Sequence, residues 1–371
     1  MKASSRARLE LPSTHTLLGC VRPWTAVNKL RIAQIAPLAE SVPPKLYGGT
    51  ERVVSWLTEE LVRLGHEVTL FATGDSSTNA KLVPVWPRAI RLSRPTPDPA
   101  MATAVLLQAI AEVAQDFDVI HSHLDWVHLP LLQCLGVPFL TTLHGRLDLP
   151  NINGMAERFA RAPFVSISDS QRTPVPQMNW LATIHHGLPS GLLQFSDQPE
   201  EYLAFLGRID PEKGPDVALR VAHAAGLPLR IAAKIPRGQN RYFNETIKPL
   251  IEGNRASFVG EVNDVQKQRL LGKAIALLFP INWPEPFGLV MIEAMACGTP
   301  VIAWPRGSVR EVIDDGVTGF IVESDAQAVA AIAQARHLDR RRIRETFERR
   351  FSARRMAEEY VQGYRTVSNP A

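Results

Sequence analysis

From Leu30 onward the chain alternates short apolar runs with amphipathic helical patterns, and it does so in two successive sets. That alternation is the strongest constraint on the fold, because strands separated by helices have to pair in parallel, with the helices covering both faces of the sheet. The first set predicts strands over 30–36, 67–72, 118–122, 138–142 and 164–167, with helices over 50–64 and 100–115. The second predicts strands over 202–207, 229–233, 256–259, 274–279, 300–303 and 318–322. Pro-rich stretches at 84–99 and 174–176 read as surface connections, and His186-Gly187-Leu188-Pro189 reads as the hinge between the sets. At 371 residues the chain is longer than one core usually sustains, which also favours two domains. The expected division is an extension over 1–28, an N-terminal doubly wound domain over 29–187, a second such domain over 188–352, and a C-terminal helix within 353–371. Paired doubly wound domains hold ligands at the carboxyl ends of their strands, so the site is expected in a cleft between them.

Composition narrows the class. With 45% hydrophobic and 21% charged residues and no apolar run near the ~18 residues of a membrane span, the reading is a soluble globular protein. Three widely spaced cysteines, Cys20, Cys134 and Cys297, suggest a reducing cytoplasm. Leu17-Leu18-Gly19-Cys20 has the look of a lipoprotein processing site, but Arg6 to His15 supplies no apolar segment before it. A net charge of +4 implies no nucleic-acid partner. Nine arginines between Arg336 and Arg355 read first as a salt-bridged helix face and second as a peripheral contact with an anionic membrane surface.

The chemistry concentrates between Phe279 and Pro300, FPINWPEPFGLVMIEAMACGTP. A strand ends at Phe279, a loop follows through Trp283, Pro284 and Pro286, and a helix begins near Phe287 or Gly288 and stops at Cys297-Gly298-Thr299-Pro300. The uncapped first turn of such a helix is an anion site, to which Gly288 admits a ligand closely. Glu285 and Glu293 bracket it, with Glu293 on the helical face of Leu289. A diphosphate with hydroxyl-bearing rings on either side satisfies every group.

EPFGLVMIE followed by AMACGTPVIA resembles the signature of the family 4 glycosyltransferases, retaining enzymes of the two-domain GT-B fold. The resemblance covers about residues 29–366. It implies that Glu285 faces the donor sugar, that the backbone of Phe287, Gly288 and Leu289 faces sugar and phosphate, and that Glu293 holds the ribose. It further assigns diphosphate binding to Arg208 and Lys213 in Gly207-Arg208-Ile209-Asp210-Pro211-Glu212-Lys213-Gly214, cations that suit phosphate oxygens at a strand end. Gly48 and Gly49, in Tyr47-Gly48-Gly49-Thr50, resemble the family's glycine-rich loop. A tight turn before a helix capped by Thr50 is the other reading. His144, at the end of an apolar strand, is implied to stand beside the reacting carbon, and base contacts fall around Gly260, Glu261 and Val262.

Several further residues have competing readings. His121 and His123 are expected on the cleft wall or acceptor side, because no third ligand completes a zinc set. Asp116-Phe117-Asp118 lies before a strand, at the edge away from the ligand. Arg306-Gly307-Ser308-Val309-Arg310-Glu311 departs from the family pattern but keeps Gly307 and Ser308 available for a backbone contact to the donor. The function implied is transfer of a hexose from a nucleoside diphosphate sugar to an unidentified hydroxyl acceptor, with no cofactor or metal. UDP-glucose is the first donor and GDP-mannose the second. An epimerase on the same architecture and a non-catalytic nucleotide-sugar binder are the alternatives.

Overall fold

Short runs that open on β-branched residues, such as Val119–Ser122 and Val301–Ala303, form strands buried on both faces, as a parallel sheet under helices requires. The computed structural model describes residues 29–45 and 48–368; the 1–28 extension, Cys20 and Tyr47 lie outside the described residues. The first sheet comprises β1 (Arg31–Ile35), β2 (Glu67–Thr73), β3 (Lys81–Trp86), β4 (Val119–Ser122), β5 (Phe139–Thr142), β6 (Phe164–Ser166) and β7 (Trp180–Thr183). Its order is β3-β2-β1-β4-β5-β6-β7, all parallel. The helices α1 (Gly49–Arg63) and α2 (Pro99–Val113) belong to this half.

The second sheet comprises β8 (Leu203–Arg208), β9 (Leu229–Lys234), β10 (Ala256–Gly260), β11 (Leu277–Phe279), β12 (Val301–Ala303) and β13 (Gly319–Ile321). Their order is β10-β9-β8-β11-β12-β13, again parallel. The helices α3 (Asp264–Gly272) and α4 (Leu289–Ala296) border the cleft, and α5 (Arg340–Arg350) leads to α6 (Ala353–Ser368). Two facing Rossmann-like sheets make this the GT-B architecture.

Two expectations need correction and a third needs extension. Pro84 does not confine 84–99 to a connection, because β3 runs through it to Trp86 at the sheet edge, where a missing N–H leaves no partner unmet. Thr50 is not a cap: α1 starts at Gly49 after Gly48, with no side-chain capping bond. The arginines between Arg336 and Arg355 do form a salt-bridged face, with Arg354 paired to Glu358 and Arg355 to Glu359, and others among them do more. Arg340 donates to the carbonyls of Ser196, Gly272 and Ala274, and Arg344 to those of Ser190, Leu193 and Ala296. These guanidiniums satisfy carbonyls of loops and of the last residues of α3 and α4.

The chain crosses between the halves twice, side by side. Leu188 N–H donates to Phe351 O and Ala353 N–H to Leu188 O, each at 3.0 Å. The crossing strands approach so closely that a Cβ on Gly187 would lie 2.3 Å from Ser352 O. Beyond them, α6 returns to α1 and β5, burying Tyr360 and Tyr364 against the first sheet. One apolar cluster is therefore continuous from Ile32 and Leu57 through Tyr360 to Phe287 and Met291.

Candidate functional site

A cleft of about 480 Å³ opens between the carboxyl ends of the two sheets. All eleven site residues expected from the sequence line it: Gly48, Gly49, His144, Arg208, Lys213, Val262, Glu285, Phe287, Gly288, Leu289 and Glu293. They come from widely separated stretches that only the two parallel sheets bring together.

The second-domain wall is built on α4. Gly288 takes φ 79°, which a side chain resists, and a Cβ there would meet Met291 Cε at 2.8 Å. No side chain caps α4, and while Met291 N–H turns back to Gly288 O at 3.0 Å, the N–H groups of Leu289 and Val290 remain available beside the cleft. Just ahead of it, Glu285 accepts from Lys213 Nζ in an ion pair. Lys213 also lies over the Trp283 ring at 4.6 Å, and Arg146 lies 5.3 Å from the same ring. Arg146 reaches across the cleft to Glu212 at 3.0 Å. Arg208 lines the wall with a buried Nε that has no hydrogen-bond acceptor among the described residues. A buried guanidinium donor without an acceptor is what an anionic ligand would satisfy.

Glu293, a turn into α4, is paired with a residue that the sequence reading missed. Lys267 Nζ lies 2.6 Å from Glu293 Oε1 and 3.4 Å from Asp264. Asp264 in turn accepts from Arg52 of α1 at 3.0 Å, so the chain Arg52–Asp264–Lys267–Glu293 joins the two halves. Lys267 sits in α3, which opens with a capping box between Asn263 and Gln266. The inward turn of Lys267 has no local signal in the sequence, since helical lysines usually face water.

Loop 306–311 supports the wall from behind. Gly307 packs so tightly that a Cβ would fall 2.2 Å from Glu285 O, while Ser308 N–H donates to Glu285 O at 3.0 Å and Ser308 Oγ–H to Phe287 O at 2.7 Å. The expected backbone contact of Gly307 and Ser308 with the donor is therefore corrected: they hold the Glu285 loop in place and do not line the cleft. Arg310 reaches Glu323 on the surface. Glu311 accepts from Asp169 N–H and Ser170 N–H, each at 2.7 Å, and its carboxyl is held below the usual range despite burial by the His185 bond and those two amides.

On the first-domain wall His144 is stacked on His186, centroids 5.3 Å apart, and His186 meets Phe287 edge-on at 5.0 Å. His186, in the expected hinge, also lines the cleft. His121 and His123 do not stand on the cleft wall. Both are fully enclosed beneath it, and burial pushes both well below the usual imidazole range. Burial likewise brings His144 down to about 3. Neutral imidazoles are therefore the forms present at neutral pH. Asp118 pairs with Arg31 at the opposite edge, away from the cleft. Among the described residues no group of three or more His, Cys, Asp or Glu side chains is placed to hold a metal ion, and no helix is long and apolar enough to cross a membrane.

Comparison with known proteins converges on one class. Residues 194–350 match the model for glycosyl transferases group 1, and residues 47–170 match that for Glycosyltransferase Family 4. A phosphatidyl-myo-inositol mannosyltransferase of Mycolicibacterium smegmatis is 30% identical over 337 residues, covering 81% of this chain and 83% of that protein. A D-inositol 3-phosphate glycosyltransferase of the same species is 25% identical over 331 residues, covering 74% and 75%. Among solved structures, AviGT4, a glycosyltransferase involved in avilamycin A biosynthesis, aligns with a TM-score of 0.72 at 25% identity over 92% of this chain and 99% of that one. A sucrose-phosphate synthase of Thermosynechococcus elongatus shares the fold, with a TM-score of 0.73 at 20% identity over 91% and 99%.

Proposed function

The chain belongs to the group 1 glycosyl transferases, and from that premise we propose that it is a retaining hexosyltransferase that moves a hexose from a nucleoside diphosphate sugar to a hydroxyl acceptor. The observation that carries this is the pairing of both motif carboxylates with lysines, Glu285 with Lys213 and Glu293 with Lys267, on either side of the uncapped start of α4. A diphosphate on the α4 amides would take Lys213 and Arg208 as counter-charges, freeing Glu285 to accept from sugar hydroxyls, while Glu293 accepts from the ribose. These cations stabilise the leaving diphosphate, the task a metal ion performs elsewhere, so the reaction is proposed to need no metal.

The same-face course needs no protein nucleophile. The departing phosphate takes the proton of the acceptor hydroxyl, and Glu285 and His144 hold the sugar over it. UDP-glucose and GDP-mannose are the donors proposed, the mannosyl case being supported by the name of the mycobacterial relative. An inositol-bearing acceptor follows from the same names, and a lipid-linked one would bring the protein to the cytoplasmic membrane face. Proton NMR of incubations with each donor, with and without inositol acceptors, tests the reading. Transfer with the donor's anomeric configuration kept is expected. Inversion refutes the proposed course, and donor epimerisation without acceptor or tight binding without turnover would replace the function itself.

A further inference from the structure

Behind the cleft a closed chain of hydrogen bonds runs from His144 to the C-terminal helix α6. His144 Nε2 lies 2.8 Å from His123 Nδ1, and His123 Nε2 lies 2.9 Å from Gln34 Oε1. The Gln34 amide nitrogen continues the chain to Tyr364 OH at 2.9 Å and, more weakly, to His121 Nδ1 at 3.4 Å. His121 is held by Tyr364 OH and Thr142 Oγ1, both at 2.8 Å, and Thr142 by Tyr360 OH at 2.9 Å. Gln34, His121, His123, Thr142, Tyr360 and Tyr364 are all shut off from solvent.

Such a chain has a direction. An amide oxygen only accepts, so His123 carries its proton on Nε2 and, being neutral, leaves Nδ1 bare. His144 then donates from Nε2, and its own Nδ1 is left as an acceptor on a residue that lines the cleft. At the other end the Gln34 amide donates to Tyr364, whose hydroxyl proton goes to His121 Nδ1, and His121 Nε2 donates to Thr142. One contact joins the Thr142 and Tyr360 hydroxyls, so one of their two protons finds no acceptor within the chain. Turning the Gln34 amide over reverses every proton along the chain and makes His144 Nδ1 a donor instead. The amide of Gln34 is thus the one group whose orientation selects between the two arrangements.

We propose that Gln34, which touches no substrate, is a positioning residue: its amide oxygen fixes His123, and through it holds His144 in the tautomer that accepts a hydrogen bond from a hydroxyl of the bound sugar. The sugar partner rests on the function proposed above; the tautomer does not. The position of Gln34 in β1 explains how a buried, uncharged group exerts this control, since β1 is central and backbone-paired on both sides.

Long-range proton–nitrogen NMR on histidine-labelled protein reads each tautomer directly and needs no substitution. His123 and His144 are expected to carry their protons on Nε2, and a His144 proton on Nδ1 overturns the proposal. Gln34→Met, of similar volume but unable to accept, should leave His144 as a mixture of tautomers. It should lower kcat at least tenfold, with nucleoside diphosphate affinity within twofold of parental. Gln34→Glu keeps an accepting oxygen opposite His123 and takes the Tyr364 proton on the other, so it should restore both the tautomer and most of kcat. An unchanged tautomer and kcat in Gln34→Met, or a Gln34→Glu variant no better than it, also refutes the assignment. If the parent turns over no nucleotide sugar, the function falls while the tautomer measurement still decides the chain's direction.

Discussion

Lys267→Met isolates the contribution of the inward-turned lysine. In the parent, Lys267 and Glu293 are 7% and 4% exposed and meet at 2.6 Å, which makes theirs a buried pair. Removing one member of a buried pair leaves an uncompensated charge and costs about 3–5 kcal/mol. Glu293 borders the cleft and Asp264 is partly solvated, so the lower end, about 3 kcal/mol, applies here. The double variant Lys267→Met/Glu293→Gln removes the stranded charge while keeping the side-chain volumes, and should recover about 2 kcal/mol of that loss. Urea unfolding followed by tryptophan fluorescence measures both through the shift of the midpoint at constant slope. If Lys267→Met costs less than about 1 kcal/mol, the pair behaves like a surface one and the cleft is wetter than its burial implies. A double variant no more stable than the single one would refute the stranded-charge argument outright.

Four further outcomes are expected. Glu293→Gln should weaken nucleoside diphosphate and intact donor together, while Glu285→Gln should leave nucleoside diphosphate affinity near parental and raise the barrier by roughly 2–4 kcal/mol; calorimetry beside turnover separates them, and equal losses of nucleotide affinity would show the two roles misassigned. Gly307→Ala, whose new Cβ would lie 2.2 Å from Glu285 O, should cut turnover although residue 307 does not line the cleft; parental kcat would show that the supporting loop yields freely. Burial lowers the folded-state pKa of His121, His123, His128, His144 and His186, helped at His121, His123 and His186 by the charge of neighbouring groups, so below about 6.5 the unfolded chain binds protons that the folded one refuses. Stability is therefore full above that pH and falls by about 1.4 kcal/mol per histidine per pH unit toward the folded pKa, which lies at about 3 for His128 and His144; equal urea midpoints at pH 5.5 and 7.5 would contradict this. Finally, EDTA should leave transfer unchanged, and a complete loss restored by added divalent metal would require a different account of diphosphate stabilisation.

What the sequence disclosed and what it withheld divide along a physical line. The alternation of apolar runs and helical patterns located almost every strand, because parallel strands buried on both faces have no other composition available to them. It missed Lys81–Trp86 and Trp180–Thr183, both edge strands, where a half-exposed residue pattern and Pro84 look like loop. The cleft residues were legible where local backbone chemistry dictates them: Gly288 at a positive φ before an uncapped helix, and carboxylates at fixed offsets from it.

The groups that hold those residues in place were not legible, since their partners are distant in sequence. Lys267 is 26 residues from Glu293, Gln34 is 330 from Tyr364, and Gly307 answers to the backbone of Glu285. His121 and His123 carried a chemical signal that pointed to the cleft, and the fold placed them one layer beneath it. A strand at the centre of a parallel sheet turns alternate side chains to opposite faces, so a polar residue at its carboxyl end can as readily support a ligand-facing neighbour as face the ligand. For Gln34, His121 and Thr142 the deciding element was α6, whose Tyr360 and Tyr364 close over the sheet and give those polar groups protein partners, while His123 is held through Gln34. The returning helix thus does more than join the two halves: by satisfying that layer it lets the first sheet carry four polar side chains, Gln34, His121, His123 and Thr142, in its interior and leaves His144 as the chain's exit to the cleft.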